Sequence, residues 1–442
     1  MKDSTINSPS VALLPWGNVI EDYLDSINIS IESFCTEMTG GWLFGYVEAL
    51  KLVGINTVII CVSNRVSEIT THIHKPSGAT IYILPASPLH GLARWLINPA
   101  DGKLVKAFPW FKWLQYPFLR SLKDIEPLLA TPLLSLKQVL QRENTQVILS
   151  QEYEYPRFDV CVLVGKWLKL PVYASFQGGN FQVSRLEGLI RPRTLKACNG
   201  LIVASQVEIE RLHKNYGFPP EKIAQIFNPL DLKLWKSVDS PEIRSQIRNE
   251  LGIPPEAQIV ICHGRIDIRR KGLDILLSAW EQVYENYSLN QRPYLLLVGT
   301  GDDAIAFQQL IDERAVANII WINKYILDRG LMIRYLSAAD LYVLASRNEG
   351  FPVAPLEAMS CGLPIVATEV PGIPDILENY DSDGGIRVPC ENANRLAEAI
   401  SRLLNNEELR RELGKRARKK VEKRFSLLSV GEEIQSFIFP DK

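Results

Sequence analysis

A chain of 442 residues exceeds one ordinary hydrophobic core, and two domains of about 200 residues each are expected. Its 46% hydrophobic and 22% charged residues fit a soluble globular protein. The formal net charge of −1 excludes a global pull toward nucleic acid or anionic membrane, so no nucleic-acid partner is expected and membrane contact would need a local patch.

The chain opens with MKDSTINSPS, which is polar and mixed in charge and lacks the basic flank and apolar stretch of a signal peptide. No apolar run approaches the ~18 residues of a spanning helix, and a cytoplasmic location is expected. Short Val- and Ile-rich runs then recur: VALLP, NTVIICVS, ATIYILP, QVILSQE, PVYASFQ, GLIVAS and KIAQIFN. Helical periodicity fills several gaps, as in GGWLFGYVEALKLVG, where Phe44, Val47, Leu50 and Val53 share a face. After FNPLDLKLWKSVDSPE the rhythm restarts with QIVICHG, YLLLVG, NIIWIN, DLYVLAS, PIVAT and GIRVP. Continuous apolar strands alternating with helices indicate parallel sheets covered on both faces. The expected fold class is therefore α/β, with two Rossmann-like domains. Residues 1–230 form the first, 231–425 the second, and 426–442 a segment packing back on the first. The seven cysteines form no C-x-x-C pair and several lie inside apolar runs, so they read as small buried hydrophobes of a reducing compartment. Five scattered histidines give no metal-ligand pattern.

In open α/β sheets the ligand lies beyond the carboxyl ends of the strands, so the chemistry is sought in strand-end loops. In CHGRIDIRRKGLDILL a strand ends at His263-Gly264. A loop with Arg265, Arg269, Arg270 and Lys271 leads to a helix expected from Gly272. Cations beside a helix N-terminus suit a diphosphate, although a solvated basic loop reads the same way. LLLVGTGDD closes another strand with Gly299 and Gly301, a pattern that also marks any tight turn. In SRNEGFPVAPLEAMSCGLP, Pro352 and Pro355 place the helix start near residue 355. Glu349 then lies in a loop and Glu357 in the first turn, where it also suits dipole capping. The amides of Phe351, Val353, Ala354 and Leu356 lack helical partners and offer an anion site. No G-x-G-x-x-G and no G-x-x-x-x-G-K-[ST] occurs, which counts against a dinucleotide oxidoreductase and a P-loop enzyme.

In this order and spacing the blocks GRIDIRRKGLDILL, LLLVGTGD, DLYVLASRNEGFPVAPLEAMSCGLPIVAT and PGIPDIL resemble the family-4 retaining glycosyltransferases of GT-B fold, glycosyl transferases group 1. The resemblance covers nearly the whole chain and is strongest over 259–376. It implies two Rossmann-like domains facing across a deep cleft, with Glu349 and Glu357 as the E-x7-E signature. Glu349 would contact donor-sugar hydroxyls, and Glu357 would accept hydrogen bonds from the ribose diol. Arg265 and Lys271 would neutralise the diphosphate in place of a metal. Gly299, Gly350, Phe351, Pro352 and Val353 would lie beside donor sugar and phosphate. In the first domain, MTGGWLFGYVEALKLVG resembles the family's glycine-rich loop and helix, so Gly40 and Gly41 would line the cleft. Many members carry a histidine where this chain has Gln177, and Asn-Gly where it has Asn228-Pro229.

The implied reaction is that of a hexosyltransferase-type enzyme (EC 2.4) in polysaccharide, glycolipid or glycoconjugate synthesis. A sugar passes, with retention, from a UDP-, GDP- or ADP-sugar to a glycan or lipid-linked acceptor hydroxyl. No cofactor and no metal are implied; Asp381-Ser382-Asp383 reads as a turn. The alternatives are a nucleotide-sugar epimerase and a non-catalytic nucleotide-sugar or glycan-binding protein. His90 and His263 read as structural. Residues 104–123 interleave Trp110, Phe111, Trp113, Tyr116 and Phe118 with Lys106, Lys112, Arg120 and Lys123. That mixture suits peripheral contact with the inner face of a membrane as well as a lid or core. The basic stretch 415–424 reads as a solvated helix face.

Overall fold

The Val- and Ile-rich runs form the strands of an eight-stranded and a six-stranded sheet. The computed structural model describes residues 8–440 apart from 16, 40–42, 98–121, 177, 179–183, 237–240 and 289–290. The first sheet comprises β1 (Ser10–Leu14), β2 (Asn56–Ser63), β3 (Thr70–Ile73), β4 (Thr80–Pro85), β5 (Val147–Gln151), β6 (Val172–Ser175), β7 (Gly200–Val203) and β8 (Ile223–Gln225). The second comprises β9 (Ile259–His263), β10 (Tyr294–Val298), β11 (Ile319–Ile322), β12 (Leu341–Leu344), β13 (Ile365–Thr368) and β14 (Gly385–Val388).

Strand order is β3-β4-β2-β1-β5-β6-β7-β8 in the first sheet and β11-β10-β9-β12-β13-β14 in the second. All pairs are parallel except β3 with β4. The strand β3 did not stand out in the sequence, because Thr70–Ile73 alternates half-buried and exposed residues at a sheet edge. Each sheet reverses its strand order beside its first strand, between β1 and β5 and between β9 and β12. Those reversals open the crevices in which ligands of doubly wound folds bind.

The two-residue period of a strand divides each sheet's side chains between two cores. In the second sheet, Val260, Leu295, Leu297, Leu341 and Val343 pack with Leu276 and Trp280 of the helix Leu273–Glu285. Ile261, Leu296, Val298, Tyr342 and Leu344 face the other way, onto Leu356 and Met359. The first sheet divides likewise, and one of its cores holds Phe44, Val47 and Leu50 together with Val430, Ile434 and Ile438. The last helix, Leu427–Ile438, is thus part of the first domain's core although the whole second sheet lies between it and β8 in the chain. The chain crosses between domains twice, side by side: Leu230 N donates to Phe425 O at 2.8 Å. All seven cysteines are free, and burial pushes the Cys35, Cys161, Cys198, Cys262 and Cys361 thiols up to about 12.

The returning helix lies close against the helix Phe44–Leu52. A Cβ placed on Gly431 would come 2.4 Å from the Ala49 carbonyl oxygen. Gly431→Leu should therefore force the two helices apart and destabilise the protein by about 1–3 kcal/mol. Urea unfolding followed by circular dichroism measures this; an unchanged midpoint would show that the contact is not tight.

Candidate active site

The β9 end begins the site. Gly264 N donates to Val298 O at 3.0 Å, so the turns after β9 and β10 lie against each other. Gly299 has φ 141°, and a Cβ there would stand 1.9 Å from the Gly264 carbonyl oxygen, which only glycine avoids. A separate four-residue helical turn, Ile268–Lys271, follows. Asp267 caps it by accepting from Arg270 N at 2.9 Å, and Asp303 Oδ2 accepts from Ile268 N at 2.9 Å. This corrects the expectation of one helix from Gly272. Gly272 is a left-handed break (φ 59°), and the long helix starts at Leu273. A Cβ on Gly272 would lie 2.1 Å from Ala345 O, so the break lets the turn press against the end of β12.

The helix after β12 spans Val353–Ser360 with Pro352 at its N-cap, two residues earlier than the prolines imply. Pro355 is its third residue, where the missing N–H would have had no intrahelical partner. Glu357 is therefore the fifth helical residue, beyond the first turn. Phe351, Pro352, Val353 and Ala354 at the start of this helix line the space between the sheets.

Packing the two strand ends together joins the opposite charges. Lys271 Nζ lies 2.6 Å from Glu349 Oε1, and Ser346 Oγ donates to the same oxygen at 2.6 Å. Burial alone would raise the Glu349 carboxyl. The Lys271 charge and hydrogen bond, the Ser346 hydroxyl and the Arg270 charge outweigh it and hold the carboxyl below its usual range. His263 Nε2 lies 2.7 Å from Glu357 Oε2, and its ring meets Tyr342 edge-on at 5.4 Å. Nδ1 of His263 is buried without a hydrogen-bond partner.

The domains touch over this site. Arg270 donates to Gly178 O of the first domain at 2.9 Å and to Asn348 O at 3.3 Å. A Cβ on Gly178 would fall 2.6 Å from Gly350 N. Asn228 Nδ2 donates to Phe351 O at 3.4 Å, tying the domain crossing to the same loop. Between the walls lies a cavity of about 460 Å³.

Arg265, Lys271, Gly299, Glu349 and Glu357 all line that cavity, as do Phe351, Pro352 and Val353. Gly350 sits at the contact with Gly178. Gly40, Gly41 and Gln177 lie outside the described residues, as do 104–121 of the aromatic-basic segment. The cavity also takes Arg270 of the basic loop, His263, and Glu152, Tyr155, Lys324 and Arg329, the last four of which sequence reasoning did not select. His263, read as structural, lies against Glu357. Arg270 is adjacent to Arg269 and Lys271, and nothing in the residue pattern marks which of the three reaches the other domain. His90 lies elsewhere, buried between Asn64 Oδ1 at 3.0 Å and Glu126 at 2.7 Å. Asp381-Ser382-Asp383 is a 3-10 turn, with Asp383 accepting from Asn379 N at 2.8 Å and lying 3.2 Å from Lys420. Among the described residues, no cluster of three or more histidine, cysteine or carboxylate groups is arranged to hold a metal ion.

Two family descriptions match the chain in tandem: Glycosyltransferase Family 4 over residues 90–234 and Glycosyl transferases group 1 over residues 243–420. The chain belongs to this family. A D-inositol 3-phosphate glycosyltransferase of Saccharomonospora viridis is 27% identical over 57% of the chain and 58% of its own length. The chain matches about half to three-quarters of the length of such curated relatives. Sucrose-phosphate synthase from Thermosynechococcus elongatus superposes with a TM-score of 0.67 at 20% identity, covering 97% of this chain and 98% of that one. The Anabaena protein Alr3699/HepE, crystallised with UDP-glucose, gives 0.67 at 15% identity over 97% and 98%. The fold of this family-4 chain is thus GT-B.

The Lys271–Glu349 pair gives the family-4 protein a pH signature. Glu349 titrates lower in the folded state than in the unfolded one. Its contribution is therefore present above the unfolded value of about 4.3 and is lost as pH falls through the lower folded value. Glu349→Gln removes this contribution, so the fall of unfolding free energy on acidification should be shallower than in the wild type. Urea titrations from about pH 6 down to the acid transition measure it, and identical slopes would refute the assignment.

Proposed function

We propose that the protein transfers a hexosyl group from a nucleoside diphosphate sugar to an acceptor hydroxyl, with retention at the anomeric carbon and without a metal ion. The observation that carries this reading is the Lys271–Glu349 contact at the mouth of a helix with free amides, in a cavity closed by the other domain. Without ligand the ammonium rests on the carboxylate. A donor diphosphate offers Lys271 and Arg265 a denser negative charge and frees Glu349 to accept hydrogen bonds from sugar hydroxyls. The amides of Gly350, Phe351 and Val353, and the turn at Gly299, take the phosphate and sugar. Glu357, steadied by His263, accepts from the ribose diol.

In the reaction the acceptor oxygen bonds to the anomeric carbon on the face from which the phosphate leaves. The bond from that carbon to the phosphate oxygen breaks with its electron pair. The acceptor proton passes to the departing phosphate, giving glycoside and nucleoside diphosphate. Arg265 and Lys271 stabilise the charge that grows on the leaving group. Family membership favours transfer over the epimerase and passive-binding readings.

The acceptor is read as a glycan or lipid-linked molecule met at the inner face of a membrane. Among the described residues no helix is long and apolar enough to cross one. The helix Pro88–Ile97 nevertheless exposes Leu89, Leu92 and Trp95 at three-residue spacing while burying His90 and Ala93. That face immediately precedes the aromatic-basic residues 104–123, and the two together suit reversible interfacial binding.

Lys271→Ala and Arg265→Ala should each lower turnover by about 10²-fold or more in a folded protein, and Glu357→Ala should chiefly weaken nucleotide binding. Activity should survive EDTA. Wild-type rates in all three variants would remove the donor-site assignment, and loss in EDTA restored by manganese would remove metal independence. On vesicles, wild type should co-sediment with anionic lipid at low salt, and Trp110→Ser with Trp113→Ser should reduce this. Wild type remaining in the supernatant would favour a soluble acceptor.

A further inference from the structure

The two walls of the cavity differ in charge. Among the described residues, every Lys and Arg that lines it belongs to the second domain: Arg265, Arg270, Lys271, Lys324 and Arg329. The first domain and the crossing segment contribute Glu48, Glu152 and Asp231 as their charged lining groups. Glu48 faces Arg329 at 3.8 Å across the domain boundary. Glu152 stands at the carboxyl end of β5, where the first sheet reverses its strand order.

Glu152 is only 2% exposed, and its backbone has φ 92°, a conformation that costs a residue with a Cβ and suits glycine. It is held there because its N–H donates to Ser175 O at 2.8 Å. Its Oε1 accepts from Glu154 N at 3.2 Å. Glu154 itself does not line the cavity and lies 2.5 Å from Arg211, so its charge is met on the far side. Tyr155 lines the cavity beside Glu152. Burial raises the Tyr155 hydroxyl; Glu152 raises it further, and Arg270 and Arg265 oppose.

We propose that Glu152 accepts a hydrogen bond from a hydroxyl of the acceptor, and that the acceptor end entering the cleft is an uncharged sugar or polyol rather than a phosphorylated one. The inference rests on the donor reading, which assigns the opposite wall to the nucleotide. An ionised carboxylate only accepts hydrogen bonds, so it suits a hydroxyl. A phosphate at the same place would meet the Glu152 carboxylate with like charge, which disfavours it. Glu152 is a binding group for the acceptor, and no covalent step passes through it.

The test is thermal shift on protein saturated with whichever of UDP, GDP or ADP raises its melting temperature. Glucose, mannose, N-acetylglucosamine and myo-inositol are then each titrated beside their monophosphates. At least one neutral compound should bind wild type more tightly than its phosphate. Glu152→Gly relaxes the backbone and should keep the melting temperature and, within about twofold, the nucleotide affinity. It should lose about tenfold or more in affinity for that neutral compound. Glu152→Gln, which keeps one acceptor oxygen, should recover part of the loss. The inference is overturned if no neutral compound binds, if every phosphate binds as well as its neutral partner, or if Glu152→Gly binds the neutral compound like wild type. Failure of all three nucleotides to shift wild type would overturn the donor reading itself, and this inference with it.

Discussion

The order reversal of two parallel sheets is the constraint on which the remaining structure depends. Adjacent strands that send their following segments to opposite faces leave a gap at their carboxyl ends. Backbone groups and side chains can converge there without filling it. The gap between β9 and β12 receives Lys271 from one strand end and Glu349 from the other. The gap between β1 and β5 receives Glu152. Because the second crossing of the chain returns to the first domain's core, the two gaps are held facing each other.

Close backbone approach turns that topology into a site. Gly272 against Ala345, Gly299 against Gly264 and Gly178 against Gly350 are contacts that leave no room for a Cβ. Each draws a loop inward by the thickness of a side chain. Charges separated by three strands of sequence thereby come within hydrogen-bond distance, as Lys271 and Glu349 do at 2.6 Å. Buried charges are costly unless paired, and in the cleft Lys271 is paired with Glu349, His263 with Glu357 and Arg270 with backbone carbonyls. Any ligand entering the cleft has to compete with these pairs, which favours one of higher charge density than a carboxylate.

Helix boundaries show where local rules mislead. Two prolines three residues apart in FPVAP placed the helix start near Pro355, yet the helix starts at Val353, because a proline within the first turn removes no hydrogen bond. The basic run RRK reads as one loop, yet it is a capped turn of its own that ends at a left-handed glycine. The strand β3 escaped notice because an edge strand with one solvated face carries no apolar run.

The sequence by itself determined the α/β class and the two series of strands, and it marked Arg265, Lys271, Glu349 and Glu357, all four of which line the cavity. Strand periodicity, glycine and proline placement and the spacing of charges are local properties, and they survive in a linear string. Only the tertiary structure decided which charges meet. It chose Arg270 over Arg269 as the residue that reaches Gly178, paired His263 with Glu357, and set Glu152 on the wall opposite the guanidiniums. These choices depend on distances between residues up to about a hundred positions apart and on the orientation of two independently folded sheets. No local pattern encodes such a distance, because it is fixed by the packing of everything between.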